Sequence, residues 1–247
     1  MREPPTPARM RVDRLLVERG LFESRAKAQA AIDAGLVAAD NVPVTKASAE
    51  IPLDAALRAK PAHPFVSRGG VKLAAALDHF GFDPAGLTCL DVGASTGGFT
   101  DALLRRAACR VYAIDVGRDQ LHPSLRARPE VVSIEGTDIR KLSPERIERR
   151  PALVVIDVSF ISLELVLPPA LALAQPSAKL IALIKPQFEA GRAQIKKGIV
   201  RDGGVQAEVC EEIARFVGAM GWTVLGHLPL PDPRRRRQPR VPTRSQT

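Results

Sequence analysis

Six apolar runs recur along the chain, Leu87–Val92, Val111–Val116, Val131–Ile134, Leu153–Val158, Leu180–Ile184 and Trp222–Leu228, with amphipathic segments such as Val71–Phe80, Leu163–Ala174 and Gln206–Met220 between them. No other feature constrains the fold as strongly. A strand with one wet face alternates apolar and polar residues, whereas continuous apolarity marks a strand covered on both faces. Repetition of such strands with helices between them predicts an α/β fold built on a doubly wound parallel sheet. Ligands of these sheets bind at the carboxyl ends of the strands, so the chemistry is sought there. Hydrophobic residues make up 45% of the 247 positions but aromatics only 4%, so the core is aliphatic.

Residues ahead of this pattern have a different grammar. Residues 1–9 are proline-rich and are expected to be disordered, with Met10 a candidate true start. Val12, Leu15, Leu16 and Arg19 share one helical face closed by Gly20. Ser24 is an expected N-cap for a second helix through Ala34, with Ala28, Ala31 and Ile32 inward and Gly35 as its stop. Two short strands, Leu36–Ala38 and Val42–Thr45, are expected around an Asp40-Asn41 turn. Arg11, Arg14, Arg19, Arg25 and Lys27 fall in the helical pair, and taken alone they describe a solvated surface.

Their order says more. Arg-Val-Asp-Arg-Leu-Leu-Val-Glu-Arg-Gly-Leu from Arg11, then Glu-Ser-Arg-x-Lys-Ala and Gly-Leu-Val, resembles the S4 RNA-binding module over about residues 10–57. The resemblance implies that these five basic side chains grip RNA phosphates, which gives salt-sensitive affinity and positions a substrate without reading its bases. S4 modules accompany several activities, so this part implies RNA and leaves the reaction open.

The net charge is +9, but residues 232–247 hold six arginines against one aspartate and so carry +5 of it. The overall charge favours a polyanionic partner only weakly; placement of the basic residues matters more. No apolar run approaches the roughly 18 residues of a membrane span, and the first residues lack the apolar segment of a signal peptide. Cys89, Cys109 and Cys210 are scattered among apolar neighbours and read as reduced core thiols. His63, His79, His122 and His227 show no ligand spacing, so no metal site is expected. A cytoplasmic location is expected.

Where the first apolar run ends stands Asp91-Val-Gly-Ala-Ser-Thr-Gly-Gly-Phe99. A phosphate-binding loop would close on Gly-Lys-Ser/Thr, and a dinucleotide fingerprint would read G-x-G-x-x-G; neither fits. A carboxylate at the strand end repels phosphate and suits a cationic ligand that carries a ribose and an amino acid group. The pattern resembles the S-adenosylmethionine loop of class I methyltransferases, with Asp91, Gly93, Ala94, Ser95, Thr96, Gly97, Gly98 and Phe99 as its members. Asp115 ends the second run 24 residues later and is placed to accept both ribose hydroxyls. Asp138, after the third run, is assigned to the adenine amino group; it also reads simply as a turn residue.

Lys72 lies in Ser-Arg-Gly-Gly-Val-Lys-Leu, Asp157 in Val-Ile-Asp-Val-Ser-Phe and Lys185 in Leu-Ile-Lys-Pro-Gln-Phe-Glu. Asp157 and Lys185 each end an apolar run, so both should face one crevice. A buried lysine gives up its proton more readily, as does one beside a second ammonium, which suits it to act as base toward a weakly acidic ribose hydroxyl.

Together with Gly-Ala-Ser-Thr-Gly-Gly-Phe and Ser-Phe-Ile-Ser-Leu, these motifs resemble the TlyA, or hemolysin A-like, family of ribosomal RNA 2′-O-methyltransferases across residues 10 to about 231. The resemblance implies an S4 domain over 10–60, a linker over 61–66 and an FtsJ-like, Rossmann-like methyltransferase domain over 67–231. It implies S-adenosylmethionine as cofactor, a cytidine ribose of ribosomal RNA or a ribosomal subunit as substrate, and a Lys-Asp-Lys-Glu tetrad. Lys72, Asp157 and Lys185 match its first three members, with Lys185 as base.

The fourth does not match. The family closes with Gly-Asn-x-Glu after Pro-Leu-Pro; here Pro229-Leu-Pro231 leads into an arginine- and proline-rich stretch over 232–247, with no glutamate after Glu212. That stretch reads as an out-of-frame translation of a GC-rich gene or as a basic RNA-binding tail, and either predicts lower stability and reduced methyl transfer. A non-catalytic RNA-binding protein is the rival reading. A pore-forming cytolysin is disfavoured by the lack of a membrane segment, and a pseudouridine synthase by the Asp91–Phe99 loop.

Overall fold

The structure is a computed structural model in which residues 8–191 and 200–230 are described. The expectations for residues 1–7 and for 232–247 fall outside the described residues. The chain divides into two compact units, Met1–Val71 and Lys72–Thr247.

In the first unit, strand β1 (Arg9–Arg11) pairs antiparallel with β4 (Glu50–Pro52), so Arg9 already belongs to ordered structure rather than to the disordered stretch expected over 1–9. Helices α1 (Val12–Glu18) and α2 (Arg25–Asp33) follow, and Ser24 caps the second by accepting the Lys27 amide. Strand β2 (Val37–Ala39) lies between β3 (Val42–Pro43) and β5 (Leu57–Ala59). Asp40 and Asn41 turn the hairpin with φ of 49° and 65°, the two left-handed residues that a type I′ turn needs. Both strands are offset or shorter than expected, and β1, β4 and β5 are too short to leave a periodic signal. Val12, Leu16, Phe22, Ala28, Ala31, Ile32 and Val37 form the core.

The second unit opens with α3 (Arg68–Phe80), whose first turn begins in the preceding unit's last residues. Five parallel strands then form one sheet: β6 (Thr88–Val92), β7 (Arg110–Ile114), β8 (Val131–Ile134), β9 (Leu153–Ile156) and β10 (Lys179–Ala182), in the order β10-β9-β6-β7-β8. Helices α4 (Gly98–Arg105), α5 (Pro123–Arg126), α6 (Leu163–Ala172), α7 (Pro186–Glu189) and α8 (Gly203–Ala219) connect and flank them. All five residues of β6 and all four of β9 are buried, as continuous apolarity requires. Successive strands step outward from β6 to β8, and the chain then returns to place β9 on the other side of β6. That reversal makes the carboxyl ends of β6 and β9 the topological switch point, where such sheets bind ligands.

One expected strand is absent. Trp222–Leu228 forms no strand; Val224 and Leu225 are exposed, and Gly226 has φ of 149°. An apolar run becomes a strand only where a neighbouring edge satisfies its backbone, and no pairing is recorded for this one among the described residues.

Candidate active site

Asp91 sits inside β6, fully buried. Thr100 Oγ1 donates to its Oδ2 at 2.7 Å, while Oδ1 has no hydrogen-bond partner. Burial pushes the Asp91 carboxyl up to about 7; the Thr100 bond opposes this, and the carboxylates of Asp157 and Asp115 add to it. An orphaned acceptor at a switch point is the mark of a group waiting for a donor.

The loop that follows is shaped by close approach. Gly93 has φ of 83°, and a Cβ there would stand 2.7 Å from the Asp157 carbonyl oxygen. Gly97 has φ of 97°, and a Cβ there would strike Leu125 and Leu121. Ala94, Gly98 and Phe99 are buried beneath the loop, whereas Ser95 and Thr96 face solvent. Asp115, just past β7, accepts the Ser95 amide at 2.8 Å on one oxygen and the Gly117 amide at 2.7 Å on the other. It therefore ties the glycine loop to its own turn. Glu135 braces the next segment, accepting the amides of Gln120 at 2.7 Å and Leu121 at 2.9 Å and pairing with Arg126 at 2.8 Å.

Asp138 is differently engaged. It caps the turn at Ile139–Lys141 by accepting the Arg140 amide at 2.9 Å, and the Arg140 guanidinium bonds both of its oxygens. Arg140 holds its carboxyl below the usual range.

Past β9 and β10 the two strand-end residues meet. Lys185 Nζ lies 2.5 Å from Asp157 Oδ1, an ion pair without hydrogen-bond geometry, and directs a hydrogen bond to Ser159 Oγ at 2.9 Å. Lys72, in the first turns of α3, is half-buried and makes no hydrogen bond or ion pair to Asp157 or Lys185. Beside the pair, Phe160 is 91% exposed with φ of 64°, and its ring lies 5.0 Å from that of Phe188. Ser159, Phe160 and Thr100 went unassigned from sequence. The first two lie inside the quoted Ser-Phe-Ile-Ser-Leu motif, which is the only signal that pointed to them.

In the first unit, Asp13 is fully buried and gathers Arg11 at 3.0 Å, Arg25 at 2.8 Å and Gln29 at 3.1 Å. Those donors, Arg11 first, hold its carboxyl far below the ordinary range. Arg19 bonds the carbonyls of Leu53 and Ala55, and Lys27 pairs with Glu23 at 2.5 Å. Arg14 is exposed and has no ion pair among the described residues.

Two sequence families match along the chain: the S4 domain over residues 10–55 and the FtsJ-like methyltransferase over residues 65–236. The 16S/23S rRNA (cytidine-2′-O)-methyltransferase TlyA of Mycobacterium tuberculosis is 45% identical over 230 residues, covering 91% of this chain and 86% of that protein. The chain belongs to the TlyA family of FtsJ-like methyltransferases. Another family relative, the Bacillus subtilis protein YqxC, named as an rRNA methyltransferase, is 44% identical over 90% of this chain and 80% of its own length. A solved structure from Streptococcus thermophilus that carries the name hemolysin is 40% identical, with a TM-score of 0.69, covering 90% of this chain and 82% of that one. Among the described residues of this TlyA-family chain, no helix is long and apolar enough to cross a membrane.

Proposed function

We propose that the chain methylates the ribose 2′-hydroxyl of a cytidine in ribosomal RNA, with S-adenosylmethionine as the methyl donor. The observation that carries this reading is the arrangement at the switch point. The Lys185 amine, held by Asp157 and Ser159, stands behind the same Asp157 main chain against which the Gly93 loop packs.

The residues fit the cofactor. The free Oδ1 of Asp91 offers an acceptor to a cationic amino acid group, and Asp115 offers a carboxylate to ribose hydroxyls. The absence of side chains at Gly93 and Gly97 lets the loop between them pack against the Asp157 main chain and against Leu121 and Leu125. When bound, S-adenosylmethionine supplies an electrophilic methyl group on a sulfonium. Lys185, acting as the neutral amine after giving up one proton, takes the hydroxyl proton of the ribose and returns to the ammonium form that Asp157 pairs with. Asp157 and Ser159 fix where its nitrogen stands. Lys72 is assigned to orienting the substrate hydroxyl, in keeping with its tetrad position. The exposed Phe160 ring offers a stacking face to the substrate base, a contact that serves any base and so sets position rather than sequence. Arg11, Arg14, Arg19, Arg25 and Lys27 contribute phosphate contacts from the S4 unit, and the expected compartment is the cytoplasm.

Incubation of the full chain with unmodified ribosomal subunits and labelled S-adenosylmethionine, followed by nucleoside analysis, tests the reading. 2′-O-methylcytidine is expected, and Lys185→Ala is expected to lower kcat by about 10²–10⁴. Methyl incorporation into bases, or none into RNA, would overturn it. One observation favours a non-catalytic RNA-binding role, the lack of glutamate after Glu212 in this sequence. RNA retention without methyl incorporation in the same assay would select that role.

A further inference from the structure

Glu189 ends α7, yet its carboxylate is spent on another element. Its Oε2 accepts Ser162 Oγ at 2.7 Å, and the Leu163 amide donates to Oε1 at 3.0 Å and to Oε2 at 3.2 Å. Ser162 is the N-cap of α6 and Leu163 its first residue, so the carboxylate meets one of the amides that a helix start leaves without an intrahelical partner.

The two ends of this link belong to loops that leave neighbouring parallel strands. The loop after β9 carries Asp157, Ser159 and Phe160; the segment after β10 carries Lys185, Phe188 and Glu189. Three cross-links join them. At the strand ends Lys185 meets Asp157 and Ser159, in the middle the rings of Phe160 and Phe188 face each other, and beyond them Glu189 holds Ser162 and Leu163.

Phe160 explains why the outer link matters. A bulky residue with positive φ is strained and keeps that conformation only when its surroundings dictate it. The residue is 91% exposed, so core packing does not dictate it. What is fixed is its flanks: Ser159 by Lys185 on one side, Ser162 and Leu163 by Glu189 on the other.

We infer that Glu189 is a positioning residue that clamps the β9 loop to the β10 segment, and so sets the distance between the Lys185 amine and the exposed ring of Phe160. This inference rests on the proposed methyl transfer, in which Lys185 and Phe160 both face the target nucleotide. Glu189 itself need not touch substrate. A carboxylate that merely capped α6 would affect stability and nothing else.

The test uses the full chain with Glu189→Ala and Glu189→Gln. Methyl transfer to ribosomal subunits, calorimetric affinity for S-adenosylhomocysteine and amide exchange at residues 159–163 are all measured. Glu189→Ala is expected to lower kcat at least about ten-fold, since small misplacements of reacting groups are costly. Its affinity for S-adenosylhomocysteine is expected to be unchanged, and exchange at Leu163 to rise. Glu189→Gln keeps a carbonyl oxygen for the Leu163 amide and is expected to recover most of the rate. Wild-type kcat in Glu189→Ala would overturn the inference, as would a fall in rate matched by an equal loss of S-adenosylhomocysteine affinity. If the wild-type chain transfers no methyl group, the proposed function fails and amide exchange decides the clamp. Faster exchange at 159–163 in Glu189→Ala then supports it, and unchanged exchange overturns it.

Discussion

The main chain of Gly93 lies against that of Asp157, so close that a Cβ on Gly93 would stand 2.7 Å from the Asp157 carbonyl oxygen and 3.2 Å from the Cα of Val158. The glycine loop and the strand end that carries Asp157 are thus one packed unit. Gly93→Ala must either push them apart or abandon a φ of 83°. It is expected to cost about 1–3 kcal/mol of stability and to weaken S-adenosylhomocysteine binding in calorimetry. Gly218→Ala is the control. Gly218 lies within α8 with nothing within 4 Å of a built Cβ, so the substitution should stabilise by about 0.5–1 kcal/mol. Equal effects from the two substitutions would contradict the packing argument.

Asp91 gives a pH signature. Its carboxyl is raised from 3.8 to about 7 by burial, so between those values the folded chain holds a proton that the unfolded chain has lost. Stability from this group is therefore fully present below about 4 and declines as pH rises through 7. A cationic ligand favours the ionised form, so S-adenosylmethionine affinity should rise from pH 6 to pH 8. Asp91→Asn should flatten both dependences, and calorimetry across that range with the variant as reference checks it. Identical pH slopes in the two proteins would refute the assignment.

These two sites show which parts of the molecule were legible in the sequence. Asp91, Asp157 and Lys185 stood out because a charge at the end of an apolar run has few structural uses, and the structure puts them at the carboxyl ends of the adjacent strands β6, β9 and β10, with Lys185 reaching Asp157. Their partners were not legible. Ser159 meets Lys185 across 26 positions and Ser162 meets Glu189 across 27, and such pairings arise from strand order rather than from any local pattern. Helix α4 opens on a glycine, a poor helix former, and is positioned by the loop before it. Trp222–Leu228 misled for the opposite reason: apolarity marks burial, and only a partner edge makes a strand.

In the S4 unit, Asp13 is the buried acceptor on which Arg11, Arg25 and Gln29 converge. Asp13→Asn leaves those donors underpaid in charge and is expected to lower the local opening free energy of residues 12–33 by about 1–3 kcal/mol. Its depressed carboxyl contributes stability above the ordinary range near 3.8, which is lost as pH falls toward the folded value. Hydrogen exchange in the full chain measures both effects. Unchanged protection over α1 and α2 would show that Asp13 does not organise the helical pair.

The same geometry separates the basic residues by what their loss would report. Arg25 and Arg11 are bound to Asp13, so removing either disturbs the fold as well as any phosphate contact. Arg14 is exposed and without an ion pair among the described residues, so it reports on RNA alone. Each phosphate contact releases counterions, and Arg14→Ala should therefore weaken ribosomal RNA binding and reduce the slope of log K against log salt by about 1. The weakening should be uniform across RNA sequences, because a phosphate contact carries no base information. Binding isotherms at several salt concentrations decide the matter. A slope equal to that of the wild-type chain would remove Arg14 from the RNA-binding surface, leaving the S4 unit to act through guanidinium faces that Asp13 does not occupy.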